Sequence, residues 1–121
     1  MQEEPKIICD TAHNKEGLTY TMHQVKAETF KSLHIVFGVV NDKNLDSIYD
    51  LLPADATYYI CKPNVKRGLD EVTLQKYFLE KGFKGEAYPS VAKALKAARN
   101  YAQNEDLIYV GGSTFVVAEI I

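Results

Sequence analysis

A chain of 121 residues, 46% hydrophobic and 25% charged, suits one compact globular domain and is too short for two. Fourteen basic against sixteen acidic residues leave a formal charge of -2, which excludes the dense basic surface that nonspecific binding to nucleic acid or an anionic membrane needs. Two cysteines cannot form the disulfide framework of a small secreted domain.

The opening, Met1 to Pro5, is polar and acidic, unlike a signal peptide. The longest apolar run, Ile35 to Val40, falls far short of the ~20 residues of a membrane helix. These features set the expectation of a cytoplasmic, reducing setting with no nucleic-acid or membrane partner. Along the chain, Ile7–Cys9 is brief and β-prone, and a polar turn from Asp10 to Lys15 follows. Leu18, Met22 and Val25, spaced by four and three, predict a helix over about Glu16 to Lys31. His34–Gly38 is a continuous apolar run of the kind buried on both faces of a parallel sheet. Leu45, Ile48, Tyr49 and Leu52 match the i, i+3, i+4, i+7 template and predict a second helix stopped by Pro53.

Thr57–Cys61, rich in β-branched and aromatic types, reads as a third strand. After the loop Lys62–Leu69, Asp70 caps a third predicted helix carrying Leu74, Tyr77 and Phe78, with Gly82 as its stop. Glu86–Tyr88 is a short strand, and Ser90 caps a helix with Val91, Ala94, Leu95 and Ala98 on one face. Leu107–Val110 is the fifth strand, leading into Gly111-Gly112-Ser113-Thr114. This alternation predicts an α/β fold: three layers, a mostly parallel Rossmann-like sheet with helices on both faces and right-handed crossovers. Strand order is not encoded in it.

In an open parallel sheet, ligands bind outside the carboxyl ends of the strands. The exit loops there carry Asp10, His13 and Asn14; Asn41, Asp42 and Lys43; Lys62, Asn64, Lys66 and Arg67; and Gly112, Ser113 and Thr114. The opposite edge holds ordinary turn residues such as Ala54–Asp55 and Asn104–Asp106. Most exit residues have two readings. Asp10, Asn14 and Ser113 either cap a helix or contact a ligand, and the Gly111-Gly112 pair either makes a tight turn or admits close backbone approach to an anion. His23 and His34 read as structural, and Cys9 and Cys61 as buried thiols without metal-ligand spacing. No P-loop, G-x-G-x-x-G fingerprint or nucleophile elbow is present. The rim is polar but holds no self-sufficient catalytic machine.

Four segments on that rim carry a resemblance. Ile7 to Asn14 resembles the D-G-A-H-N segment that opens the C-terminal domain of folylpolyglutamate synthase/dihydrofolate synthase, in the Mur ligase superfamily. Phe37 to Lys43 is similar to the family's G-x-x-x-D-K element. Asn64 to Leu69 is similar to its loop ending in Pro-Arg-Ala, with Arg67 on the arginine, and Gly112-Ser113 matches its closing G-S. The order and spacing agree from Ile7 to Ile121. Thr11 stands where glycine is usual, Lys15 where proline is common, and Gly68 where alanine is usual. The family's arginine upstream of the first strand would precede Met1.

The resemblance implies a Mur ligase C-terminal domain type of fold and an ATP-dependent ligase. Such an enzyme adds L-glutamate to a folate or dihydropteroate carboxylate through an acyl phosphate, with ATP and Mg²⁺ as cofactors. It implies that residues 1–121 are one domain whose partner is an N-terminal P-loop ATPase domain of the same polypeptide, absent from these residues, and that the domain alone is inactive. Asp10, His13 and Asn14 would contact the nucleotide, with His13 near the phosphates in a catalytic role. Lys43, Arg67 and Ser113 would line the substrate side, where the planar fork of an arginine suits a carboxylate; no metal ligand is assigned, and a monomer is expected. Two other readings stand beside this one. A peptidoglycan-precursor ligase is disfavoured by the D-x-A-H-N form. A stand-alone nucleotide- or protein-binding module of receiver type is disfavoured because Asp10 lacks an acidic neighbour and Gly111-Gly112-Ser113 replaces the lysine.

Overall fold

The computed structural model describes residues 5–10, 15–28, 30–40 and 45–120. Its strands are β1 (Lys6–Cys9), β2 (Leu33–Phe37), β3 (Thr57–Cys61), β4 (Lys84–Tyr88) and β5 (Leu107–Gly111), and its helices are α1 (Lys15–Ala27), α2 (Glu71–Glu80), α3 (Val91–Tyr101) and α4 (Thr114–Ala118). The strands form one sheet of order β1-β5-β2-β3-β4. Every strand pair in it is parallel.

Two of the three inner strands explain their own composition. All residues of β2 and β5 are buried, so both faces must be apolar. Alternate residues feed opposite layers: Ile35, Phe37, Tyr58, Ile60 and Tyr109 join one cluster, and Val36, Tyr59, Cys61, Ile108 and Val110 the other. Leu18, Met22 and Val25 of α1, with Leu74 and Phe78 of α2, close the first face. Val91, Ala94 and Ala98 of α3 and Val116 of α4 close the second. The small alanines let α3 sit close to the sheet.

The α2 boundaries follow from local chemistry. Asp70 accepts hydrogen bonds from the Val72 and Thr73 amides (3.1 and 3.0 Å) at its start. At its end Gly82 takes φ +88, the Gly82 amide donates to Leu79 O and the Phe83 amide to Phe78 O. This is a Schellman stop, completed by contact between the Phe78 and Phe83 rings at 5.2 Å.

Two expectations are corrected. The helix predicted over Leu45 to Leu52 is a pair of 3₁₀ turns, Leu45–Ser47 and Tyr49–Leu51, with i→i+3 bonds from the Ile48, Leu51 and Leu52 amides. Pro53 forces Leu52 into extended backbone, φ -90 and ψ 135, and a segment this short cannot recover the cost of α-helix nucleation. Its apolar spacing still buries Ile48 and Leu52. Tyr77, grouped in the sequence with Leu74 and Phe78 as carried by this helix, is in α2 but 42% exposed, while Leu74 and Phe78 are buried. Cys9 is exposed on the edge strand, while Cys61 is buried as expected.

Candidate functional site

Strand order shows where this sheet can take a ligand. The steps β1→β2→β3→β4 run one way across the sheet, so right-handed crossovers put α1, the 3₁₀ pair and α2 on one face. The step back from β4 to β5 puts α3 on the other, where α4 also packs. Strand β5 therefore exits toward one face while its neighbours β1 and β2 exit toward the other. The carboxyl end of β5 is the topological switch point, the place where open parallel sheets bind ligands.

Asp10 lies at that point. Its amide donates to Val110 O at 2.9 Å, continuing the β1–β5 pairing one residue past the strand. Its carboxylate accepts a hydrogen bond from the Tyr109 hydroxyl at 2.7 Å. Tyr109 is fully buried, and burial, reinforced by the Asp10 hydrogen bond and charge, pushes its phenol far above the ordinary range. The phenol keeps its proton and acts as a donor.

The next turn is built on close backbone approach. Gly112 has φ +99, and a Cβ there would lie 2.3 Å from Gly38 O, so only glycine lets the β5 exit cross over the β2 exit. Ser113, 4% exposed, caps α4 by accepting a hydrogen bond from the Phe115 amide at 3.1 Å. Arg67 is exposed two strands away, on the loop after β3. That loop is tied down by a bridge between Val40 and Gly68, by the Leu69 amide on Val39 O at 2.9 Å, and by the Asn64 amide on Glu119 Oε2 at 2.6 Å. The exits of β2, β3 and β5 are thus laced together by main-chain amides that donate to backbone and, at Glu119, side-chain oxygens.

Of the site residues expected from sequence, Asp10 and Ser113 end the neighbouring strands β1 and β5, and Arg67 sits on the anchored loop beside β2. His13, Asn14 and Lys43 lie outside the described residues. The reading by exit loops passes over Tyr109, because it counts only residues past the strand ends. Its place opposite Ile8 in the β1–β5 register puts it on the face from which its hydroxyl reaches Asp10. Among the described residues no group of three or more His, Cys, Asp or Glu side chains is arranged to hold a metal ion, and no helix is long and apolar enough to cross a membrane.

The amino end of the sheet is not the ordinary turn region expected. Asp106 is buried, 6% exposed, and its Oδ2 lies 2.8 Å from His34 Nε2, while His34 Nδ1 lies 2.8 Å from the Tyr59 hydroxyl. The Asp106 carboxylate can only accept, so Nε2–H donates to it, and in the neutral ring Nδ1 is then the acceptor for the Tyr59 hydroxyl. Burial, with smaller contributions from Tyr88, Tyr101 and Asp106, pushes the Tyr59 phenol up to about 12. His34 is structural, as expected from its place at the start of a buried strand.

Comparison with known proteins adds the following. A family model described as Mur ligase, glutamate ligase domain, matches residues 1–114. The chain is 33% identical over 120 residues to a probable bifunctional folylpolyglutamate synthase/dihydropteroate synthase of Haloferax volcanii, covering 98% of this chain and 14% of that protein. It is 30% identical over 122 residues to the dihydrofolate synthase/folylpolyglutamate synthase of Escherichia coli, covering 100% of this chain and 28% of that protein. The solved structure of E. coli FolC in complex with DHPP and ADP superposes with a TM-score of 0.86 at 28% identity, over 99% of this chain and 28% of that one. The chain therefore spans between about one-seventh and somewhat over a quarter of these relatives' length.

Proposed function

Because the chain belongs to the Mur ligase family through its glutamate ligase domain, we propose that it is the C-terminal domain of an ATP-dependent ligase that adds glutamate to folate or dihydropteroate. The observation that carries this reading is the coincidence of two lines. The family match spans the sheet, and the motif residues that the structure describes, Asp10, Arg67 and Ser113, fall at the carboxyl ends of its strands. The partner is an N-terminal P-loop domain of the same polypeptide, which supplies the phosphate grip these residues lack. The full-length enzyme works as a cytoplasmic monomer.

Bound between the two domains, ATP with Mg²⁺ would supply a γ-phosphoryl group to the substrate carboxylate with release of ADP, and the glutamate amine would then displace phosphate. This domain's share is binding and orientation. The residues present fit a nucleotide: Asp10 offers a half-buried carboxylate oriented by the Tyr109 hydroxyl, a group of the kind that accepts from a nucleoside's hydroxyls. His13 and Asn14 are assigned to the phosphate side, with His13 in the catalytic role, and Mg²⁺ to the nucleotide and the P-loop domain. Lys43, Arg67 and Ser113 are assigned to the glutamate side, Ser113 through the turn it caps. There the Arg67 guanidinium pairs bidentately with a carboxylate.

The test is an assay of the full-length polypeptide with ATP, glutamate and dihydropteroate or a folate, run beside muramyl nucleotides. ATP-dependent glutamate addition to the pterin substrates is expected. Turnover of muramyl nucleotides alone would overturn the reading. Within the active enzyme, Arg67→Ala should raise KM for glutamate about tenfold with little change in kcat, and Arg67→Lys should restore only part of it, since an ammonium cannot form the fork. An unchanged glutamate KM would remove Arg67 from the substrate side.

A further inference from the structure

Asp10 is fixed along its main chain by the β1–β5 ladder, but its side chain follows no such rule, and what sets it is a residue of the neighbouring strand. The Tyr109 hydroxyl donates to Asp10 Oδ2 at 2.7 Å, joining groups 99 residues apart in sequence. The tyrosine cannot swing away: its ring is fully buried in the core layer that also holds Phe37 and Leu107. Gly111 closes over the end of the ring, since a Cβ at that position would lie 2.6 Å from the Tyr109 hydroxyl and 2.8 Å from ring carbons. A glycine is thus required directly over the hydroxyl. With no water reaching it there, the hydroxyl's hydrogen bond to a charged acceptor is of the stronger kind.

We propose that Tyr109 is a positioning residue for nucleotide binding: its hydroxyl, wedged beneath Gly111, orients the Asp10 carboxylate toward the nucleoside. This rests on the reading of Asp10 as a nucleotide contact. Tyr109 touches no ligand itself and acts through Asp10 alone. A phenylalanine there would keep the ring and its packing and lose only the bond that orients the carboxylate.

The experiment compares Tyr109→Phe, Asp10→Ala and the double variant in the full-length ligase, measuring kcat and KM for ATP and for glutamate. Tyr109→Phe should raise KM for ATP about tenfold, the scale of one hydrogen bond to a charged group, with kcat within about threefold and glutamate KM within about twofold of the parent. A general loosening of the fold would not separate the two substrates in this way. In the Asp10→Ala background, Tyr109→Phe should add nothing to the ATP KM. A further tenfold rise there would overturn the proposal, because Tyr109 would then act by another route. If Asp10→Ala raises the ATP KM and Tyr109→Phe does not, the positioning role fails while the nucleotide reading of Asp10 stands. If Asp10→Ala itself leaves the ATP KM unchanged, both fail. Gly111→Ala provides a second variant that keeps the hydroxyl but displaces it, and the same selective rise in ATP KM is expected.

Discussion

Asp106→Ala should lower the melting temperature of the chain by about 10–15 °C, read by circular dichroism at pH 7. The carboxylate it removes is an acceptor for the His34 ring and for main-chain amides. Asp106 Oδ2 takes the His34 Nε2 bond at 2.8 Å and the Gln103 amide at 2.9 Å. The side chains of the His34–Asp106 pair are only 8% and 5% exposed. Removing one member leaves a buried ring N–H without an acceptor, a loss of about 3 kcal/mol. In a domain of this length that corresponds to the stated shift. Asp106→Asn should cost markedly less, since an amide oxygen can still accept from the His34 ring and the Gln103 amide. A loss of less than about 3 °C for Asp106→Ala would show that the His34–Asp106–Tyr59 chain contributes little.

The same carboxylate carries a pH dependence of known sign. Burial alone would raise the Asp106 pKa, but the Gln103 amide, the His34 ring and the Ser32 amide together outweigh it and hold the carboxyl below its usual range. A carboxyl depressed on folding contributes stability above its unfolded pKa, about 3.9, and loses it as pH falls through the lower folded value. The stability gap between the parent and Asp106→Asn should therefore be full at pH 6 and close as pH drops below about 4. A gap that stays constant from pH 6 to pH 3 would show that the charge on Asp106 is not what stabilises the fold.

What could be read in the sequence was whatever is local. β2 announced itself as an apolar run because both its faces are buried, and α2 carried its own start at Asp70 and stop at Gly82. The rim was legible for a topological reason: parallel strands all end on one edge, so listing exit loops finds candidate residues without knowing strand order. What stayed hidden depends on contacts far apart in the chain. Asp106 looked like a turn residue because its partner His34 lies 72 positions away. Tyr109 passed as one residue of the strand Leu107–Val110 because Asp10 lies 99 positions away. That β5 ends at the switch point follows only from its place between β1 and β2. The false helix at Leu45 to Leu52 had the right apolar spacing, and Pro53 overruled it.

Gly112→Ala is expected to destabilise the chain by about 3–4 kcal/mol, and its neighbour in kind, Gly82→Ala, separates the two causes. Both glycines have positive φ, +99 and +88, and both would place an alanine in a backbone region that costs it about 1–2 kcal/mol. Around Gly82 a Cβ meets nothing within 4 Å, so that conformational cost is the whole effect there. At Gly112 the Cβ would lie 2.3 Å from the Gly38 carbonyl oxygen and 3.1 Å from the Phe37 ring. A carbonyl at the end of a buried central strand cannot rotate aside as a side chain would. The β5 exit must lift away instead, carrying Ser113 and the start of α4 with it. Urea denaturation should therefore show Gly112→Ala losing at least ~1.5 kcal/mol more than Gly82→Ala. Because the displaced turn follows β5, whose end lies beside Asp10, Gly112→Ala in the full-length polypeptide should also lower kcat/KM for ATP in the proposed glutamate addition about tenfold or more, while Gly82→Ala leaves it unchanged within twofold. Equal losses of stability in the two variants would mean that the backbone conformation, and not the crossing of the β2 and β5 exits, is what requires glycine at this turn.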